Sequence, residues 1–375
     1  MNDIFSASNQ LDDLLQRVGS KLQISKTQRT LAEERYLAVG TWLSKDEALF
    51  NGADIEIYPQ GSLSISTTVK PLSKQEYDLD LVCQINQTWR GKNPLKLLDS
   101  IEKRLKDNKK YEGMVERKNR CIRLNYANEF HMDILPAHPA DNTSTSVKVP
   151  DRKAKDWKDS NPKGYTGWFN ERSFQYKALL EKRADIEPLP YDEDFERKPP
   201  LKRAVQLIKR YRDIFFENEP ESAPISIVLT TLAGQIYEGQ ASVYEAISSI
   251  LDGILLRLPK NGTRLVVLNP TNKKEDLSER WEGHPELYKS FVTFIQRFKE
   301  KWDQLNEMRG IHEIAEELKA LFGENVINDS IQEHAEYMEK ARKSNQLGVF
   351  ATGMLVAATK EENVIPMREN TFYGE

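Results

Sequence analysis

Cysteine is almost missing from this chain: there are two in 375 residues, Cys83 and Cys121, each within an apolar run. That excludes a disulfide-stapled scaffold and suits buried, reduced thiols in a reducing compartment. Histidine is sparse too. His131, His138, His284, His312 and His334 are scattered without Cys/His ligand spacing, so no structural zinc is expected. No apolar stretch approaches the roughly 18 to 20 residues of a membrane span, and residues 1–10 carry no basic segment with an apolar one behind it. The expectation is a cytoplasmic protein with no membrane partner. An excess of charge of one sign is also lacking. With 54 basic and 58 acidic residues the net charge is −4, so no stable nucleic-acid partner is expected. What is present, 39% hydrophobic and 30% charged residues, fits a globular protein with a sizeable core, and the length favours two domains.

The informative stretch runs from Tyr58-Pro59-Gln60-Gly61-Ser62 to Glu76-Tyr77-Asp78-Leu79-Asp80-Leu81-Val82. A strand-like run over Ile55 to Tyr58 ends in a Gly-Ser turn, and an Asp-x-Asp opens a second run to Ile85. Alternate residues of a strand share a face, so Asp78 and Asp80 point one way while Leu79 and Leu81 turn to the core. Two such carboxylates make a hard, oxygen-rich site suited to Mg²⁺. Gly61 lets the backbone approach a phosphate, and Ser62 with its neighbouring N–H groups can donate to it. A third carboxylate, Asp133 in Phe130-His131-Met132-Asp133-Ile134-Leu135-Pro136, follows the strand-like Cys121 to Tyr126. Adjacent strands would then place three aspartates along one sheet edge. Singly, Asp78 reads as a turn cap and Asp133 as a strand-end acceptor. Together and in this order they read as a metal site for nucleotidyl transfer.

These residues resemble the polymerase-β-like nucleotidyltransferases, and among them the CD-NTases of bacterial anti-phage CBASS systems. The phrases Pro59-Gln60-Gly61-Ser62, Glu76-Tyr77-Asp78-Leu79-Asp80-Leu81 and His131-Met132-Asp133-Ile134-Leu135-Pro136-Ala137 carry the likeness. Fifteen residues separate Ser62 from Asp78, a little more than in the commonest pattern, which reads as a longer loop over Thr67 to Gln75. The resemblance implies an α+β fold: a catalytic lobe with a mixed sheet, a mostly helical second lobe, and the active site in the cleft between them. It implies two Mg²⁺ ions, replaceable by Mn²⁺, on Asp78, Asp80 and Asp133. It implies NTP substrates, ATP among them, joined into a cyclic di- or trinucleotide with pyrophosphate released, and a CBASS accessory or activator protein as partner. For the triphosphate it points to Gln60, Gly61 and Ser62, to Lys209 on a helix after the hinge, and to Ser226 on the next helix. The bland alternatives are a solvated lysine and a helix cap, since Lys202, Arg203, Lys209, Arg210 and Arg212 crowd one helix and most are expected to face water.

Along the chain, Leu11, Leu14, Leu15, Val18 and Leu22 predict an amphipathic helix, and Thr27 to Leu43 a second with Thr27 as its N-cap. In the resembled family a long helix here runs behind the sheet and bridges both lobes. A helix over Pro94 to Leu105 and strands over Met114–Lys118, Cys121–Tyr126 and His131–Leu135 follow. Residues 139–167 turn polar and read as a solvated loop, or as an active-site rim where lysines and Trp157 or Trp168 meet a nucleotide. The catalytic lobe is expected over residues 1–183, with a helix from Trp168 to Arg183. The helical lobe is expected over 184–375, with the hinge near Pro199-Pro200 and an exposed tail from Lys360. Helices are predicted over Pro224–Tyr237, Val243–Arg257, Pro285–Phe298, Ile311–Phe322 and Ile331–Arg342. Asn269-Pro270 reads as a turn and Trp281 as a core anchor. Two rival functions remain: a terminal adenylyltransferase acting on RNA or protein, and a non-catalytic regulator that keeps the fold. The intact aspartates disfavour the second, and the net charge the first.

Overall fold

The computed structural model describes residues 2–45, 52–72, 77–127, 129–141, 143–175, 198–305, 307–308, 311–344, 348–350, 355–356 and 364–366. The boundary expected at 183/184, the second half of the helix expected to reach Arg183, and most of the tail from Lys360 lie outside these residues.

A mixed sheet forms the first layer. Its strands are β1 (Ile55–Pro59), β2 (Tyr77–Ile85), β3 (Val115–Arg117), β4 (Ile122–Tyr126), β5 (Phe130–Pro139), β6 (Val147–Asp151) and β7 (Asp156–Ser160), in the order β1-β2-β5-β4-β3, with β6 on the far end of β5 and β7 beside it. Only the β2–β5 pair is parallel. Alternation decides which face is buried: Tyr77, Leu79, Leu81, Cys83 and Ile85 of β2, with Phe130, Met132 and Ile134 of β5, pack against α2 (Lys26–Ser44) and α4 (Pro94–Lys106). The opposite face of β2 and β5 carries the aspartates.

Local chemistry explains the helix starts. At α2 the cap is Ser25, two residues before the expected Thr27, because a capping box forms there: Ser25 Oγ accepts from Gln28 N at 3.2 Å while Gln28 Oε1 accepts from Ser25 N at 2.8 Å. Asn93 caps α4 through Leu95 N, with Pro94 in the first turn. Both helices expected ahead of the sheet are present, and they serve different lobes. α1 (Asn2–Lys21) buries Leu11, Leu14, Leu15 and Val18 in the helical lobe, while α2 covers the sheet.

Residues 139–167 are not a loop. They hold the end of β5, the β6–β7 hairpin and the start of α5 (Pro162–Ser173), because Val147 and Val149 alternate inward beneath the polar residues and Asn161 caps the helix through Gly164 N. The helical lobe comprises α6 (Pro200–Phe215), α7 (Ser226–Ile236), α8 (Val243–Arg257), α9 (Pro285–Gln304), α10 (Ile311–Phe322) and α11 (Glu324–Lys343), with a β8–β9 hairpin (Leu268–Asn269, Asn272–Asp276) and Trp281 packed on Tyr288 and Phe291. Among the described residues, no helix is long and apolar enough to cross a membrane.

Helix α6 departs from expectation. Lys202, Arg203, Lys209 and Arg210 do not face water; each is under a tenth exposed. The helix runs through the junction of both layers, where several of its polar groups find internal partners: Arg203 donates to Gln16 and Gln206, Gln206 Nε2 to Thr68 O at 2.9 Å, and Lys202 Nζ to Asn170 Oδ1 at 2.9 Å.

Candidate functional site

The Gly-Ser turn and the first two aspartates form one unit. Gln60 N donates to Asp80 O at 2.9 Å, and the chain then enters a single helical turn, α3 (Gly61–Ser64). Gly61 has φ +63°, and a Cβ there would overlap Asp80 Oδ2 and lie 3.0 Å from its Cγ. The turn therefore needs glycine twice, for its backbone angle and for its contact with the carboxylate. Ser62 Oγ sits 3.3 Å from Thr68 Oγ1, and Ser62 O accepts from Thr67 N at 2.9 Å, so the loop after the turn folds back on it.

Register brings in the third carboxylate. Asp80 on β2 is the direct partner of Asp133 on parallel β5, and Arg123 on antiparallel β4 is the direct partner of Asp133. Asp78, Asp80, Asp133 and Arg123 therefore share one face of the sheet. They do not lie on a sheet edge as expected: β2 and β5 are interior strands, since β1 and β4 flank them.

The electrostatics of the cluster are strained. Burial pushes the Asp80 carboxyl up to about 7, helped by repulsion from Asp78 and Asp133. Loss of water in the cleft also raises Asp78, against the pull of Arg123. The Arg123 guanidinium donates to Asp133 through Nε (2.6 Å) and Nη2 (2.8 Å), and through Nη2 to Asp78 (3.2 Å). These bonds raise the arginine above its ordinary value, with the Asp133 pair first among the causes.

The second layer faces this cluster across a cleft of about 820 Å³, lined by Gln60, Gly61, Ser62, Asp78 and Asp80 on one side and Lys209, Arg212 and Ser226 on the other. Lys209 Nζ donates to Thr67 O (3.2 Å) and Oγ1 (3.1 Å), which props the loop behind the Gly-Ser turn. Burial, with Arg212 adding to it, lowers Lys209 to about 7. Ser226 is the first residue of α7 but not its cap, which is Ile225; its hydroxyl accepts from Arg212. Seven of the eight candidate residues thus line one cleft. Asp133, held by Arg123, is set back from it.

Sequence reasoning missed several groups here. Arg212 escaped notice among the cations of α6, although it stands three residues, about one turn, after Lys209. At the mouth, Arg120 pairs with Asp151 at 2.8 Å and with Glu279, which Lys158 also approaches at 3.4 Å. Glu275 accepts from Ser160 Oγ at 3.2 Å and Asn269 Nδ2 at 2.7 Å, and burial raises its carboxyl. Of the rim expected over 139–167, Lys158 to Asn161 do line the cleft. The tryptophans do not: Trp157 packs with Trp89 and His138, and Trp168 with Tyr165, Phe169 and the bare Cα of Gly234.

Three carboxylates on one face, two of them raised by burial, are the donor set of a hard divalent cation. Among the described residues no three acidic, histidine or cysteine side chains already converge as ligands, and Arg123 supplies the positive charge in their place. The residues fit Mg²⁺ once Arg123 yields.

A mixed-sheet lobe bearing this turn and these aspartates, closed over a cleft by a helical lobe, defines a nucleotidyltransferase. The model of the Second Messenger Oligonucleotide or Dinucleotide Synthetase domain matches residues 6–173. A c-di-GMP synthase of Roseivirga ehrenbergii is 38% identical over 99% of both chains. The cyclic dinucleotide synthase CdnG of Bradyrhizobium diazoefficiens is 26% identical over 92% of this chain and 88% of its own. The solved structure of that CD-NTase with GTP superposes with a TM-score of 0.70 at 25% identity, covering 87% of this chain and 99% of the other. The chain belongs to the CD-NTase family, whose members are nucleotidyltransferases that make cyclic oligonucleotides and generally use divalent metal ions.

Proposed function

We propose that the protein joins two GTP molecules into a cyclic dinucleotide, releasing pyrophosphate at each of two steps, as a second-messenger synthase of anti-phage defence. The observation that carries nucleotidyl transfer is the register match of Asp80 with Asp133, on the face that opens to Lys209 and Arg212. The choice of GTP follows the c-di-GMP synthase that resembles the chain along its whole length. Asp78, Asp80 and Asp133 would hold two Mg²⁺ ions. When bound, these supply charge neutralisation at the α-phosphate and lower the pKa of the attacking hydroxyl. Gln60, Gly61 and Ser62 present backbone and hydroxyl donors to the triphosphate, and Lys209 and Arg212 oppose its charge from the second lobe. Asp133 accepts the proton of the attacking hydroxyl. Ser226 orients Arg212. Because burial lowers Lys209 to about 7, it is only partly charged near neutral pH, and phosphate binding would draw a proton onto it.

The test is incubation of the purified protein with all four NTPs, singly and mixed, with Mg²⁺ or Mn²⁺. Products are treated with phosphatase and weighed, beside an Asp78→Asn/Asp80→Asn control. A phosphatase-resistant cyclic guanine dinucleotide, absent from the control, is expected. A linear extension of added RNA, or product from the control, would overturn the proposal.

A further inference from the structure

We infer that Arg123 is a positioning residue that governs metal loading: it holds Asp133 and Asp78 as an internal counter-cation, and a divalent ion enters the aspartate site only by displacing it. This rests on the aspartates being the metal ligands, as proposed above.

Three observations converge. Arg123 grips both oxygens of Asp133, at 2.6 and 2.8 Å, and reaches Asp78 at 3.2 Å with the same Nη2, so one fork spans two would-be ligands. Its place is fixed by the sheet rather than by chance, since strand register sets it directly opposite Asp133. Asp133, paired with Arg123, is set back from the cleft that Asp78 and Asp80 line. A guanidinium fork matches a carboxylate in plane and hydrogen-bonding geometry, which a single ammonium cannot do. The guanidinium and a divalent ion cannot both occupy the space between Asp78 and Asp133. Arg123 therefore keeps the three carboxylates compatible without a metal, lowers their affinity for free ions, and leaves loading to depend on the added negative charge of an arriving triphosphate.

The experiment is Mn²⁺ titration of the full chain, followed by the loss of the free-ion electron paramagnetic resonance signal, without nucleotide and then with a non-hydrolysable GTP analogue. Arg123→Gln, which keeps a polar side chain and loses the charge, is expected to bind Mn²⁺ about tenfold more tightly than wild type without nucleotide, as removal of one close positive charge implies. With the analogue present the two proteins should differ by less than about threefold, since the triphosphate has then displaced the arginine. Arg123→Lys keeps the charge but not the fork and is expected to fall between them; it serves if the glutamine variant does not fold. Mn²⁺ binding that depends on Asp80 but is no tighter in either variant would overturn the role of Arg123 alone. Binding that Asp80→Asn leaves intact would overturn the aspartate site itself.

Discussion

The sharpest test of the site is one added methyl group, Gly61→Ala. At φ +63° the backbone of Gly61 is left-handed, which costs an alanine roughly 1–2 kcal/mol. That strain alone predicts a melting temperature lower by roughly 1–3 °C, at about 1.3 °C per kcal/mol for a chain of 375 residues. The larger effect is local. The new Cβ would overlap Asp80 Oδ2 and stand 3.0 Å from Cγ and 3.2 Å from Cβ of the same residue, so relief demands movement of the carboxylate rather than of a distant flexible tip. Asp80 has little room to retreat, because its own backbone C=O accepts from Gln60 N and its neighbours Leu79 and Leu81 are locked in the core. Returning to an ordinary contact shifts the carboxylate by about 1 Å, and a misplacement of that size costs on the order of 100-fold in rate. The assay is initial-rate cyclic dinucleotide formation at saturating GTP and Mg²⁺, with thermal melting beside it. A turnover 100-fold down in a protein that melts only a few degrees early is the expected signature. Turnover within threefold of wild type would refute the close coupling of turn and carboxylate.

Other outcomes follow from the same geometry. Because the folded pKa of Asp80 is raised to about 7, the folded metal-free protein binds a proton that the unfolded chain has lost; stability in a chelator should therefore fall as pH rises from about 4 to about 7, and Asp80→Asn should flatten that slope in melting curves. Lys209, lowered to about 7, should take up a proton when a GTP analogue binds at pH 8, seen as buffer-dependent binding heat in calorimetry and lost in Lys209→Met, which should also weaken binding by about ten- to a hundredfold. Trp281→Ala, removing a buried ring from its contacts with Tyr288 and Phe291, should cost about 3–5 kcal/mol in denaturant unfolding without changing the product made by the protein that remains folded.

What was legible in the sequence was whatever rests on local periodicity or on a short motif. Alternation around Asp78, Asp80 and Asp133 announced two strands with one polar face, and Pro200 announced the start of α6; each of these is decided within a few residues. Helices α8 and α10 also fell where their apolar spacing put them. The errors arose where burial is set by distant neighbours. The cations of α6 look like a solvated face, yet the helix packs against α1 and α5, and Gln16, Thr68 and Thr67, which accept from Arg203, Gln206 and Lys209, lie more than a hundred positions away. The polar stretch after Pro139 hid a hairpin because its buried residues, Val147, Val149, Pro150 and Asp151, do not keep a clean apolar period of two. Arg123 shows the limit most clearly. In Ile122-Arg123-Leu124-Asn125-Tyr126 it is merely the polar member of an alternating strand, and its meaning depends on which strand lies beside β4 and in what register. A motif that names ligands cannot name the group that opposes their filling, because that group is chosen by the pairing of strands and not by its place in the motif. Its charge becomes functional only once Asp133 is placed directly across from it.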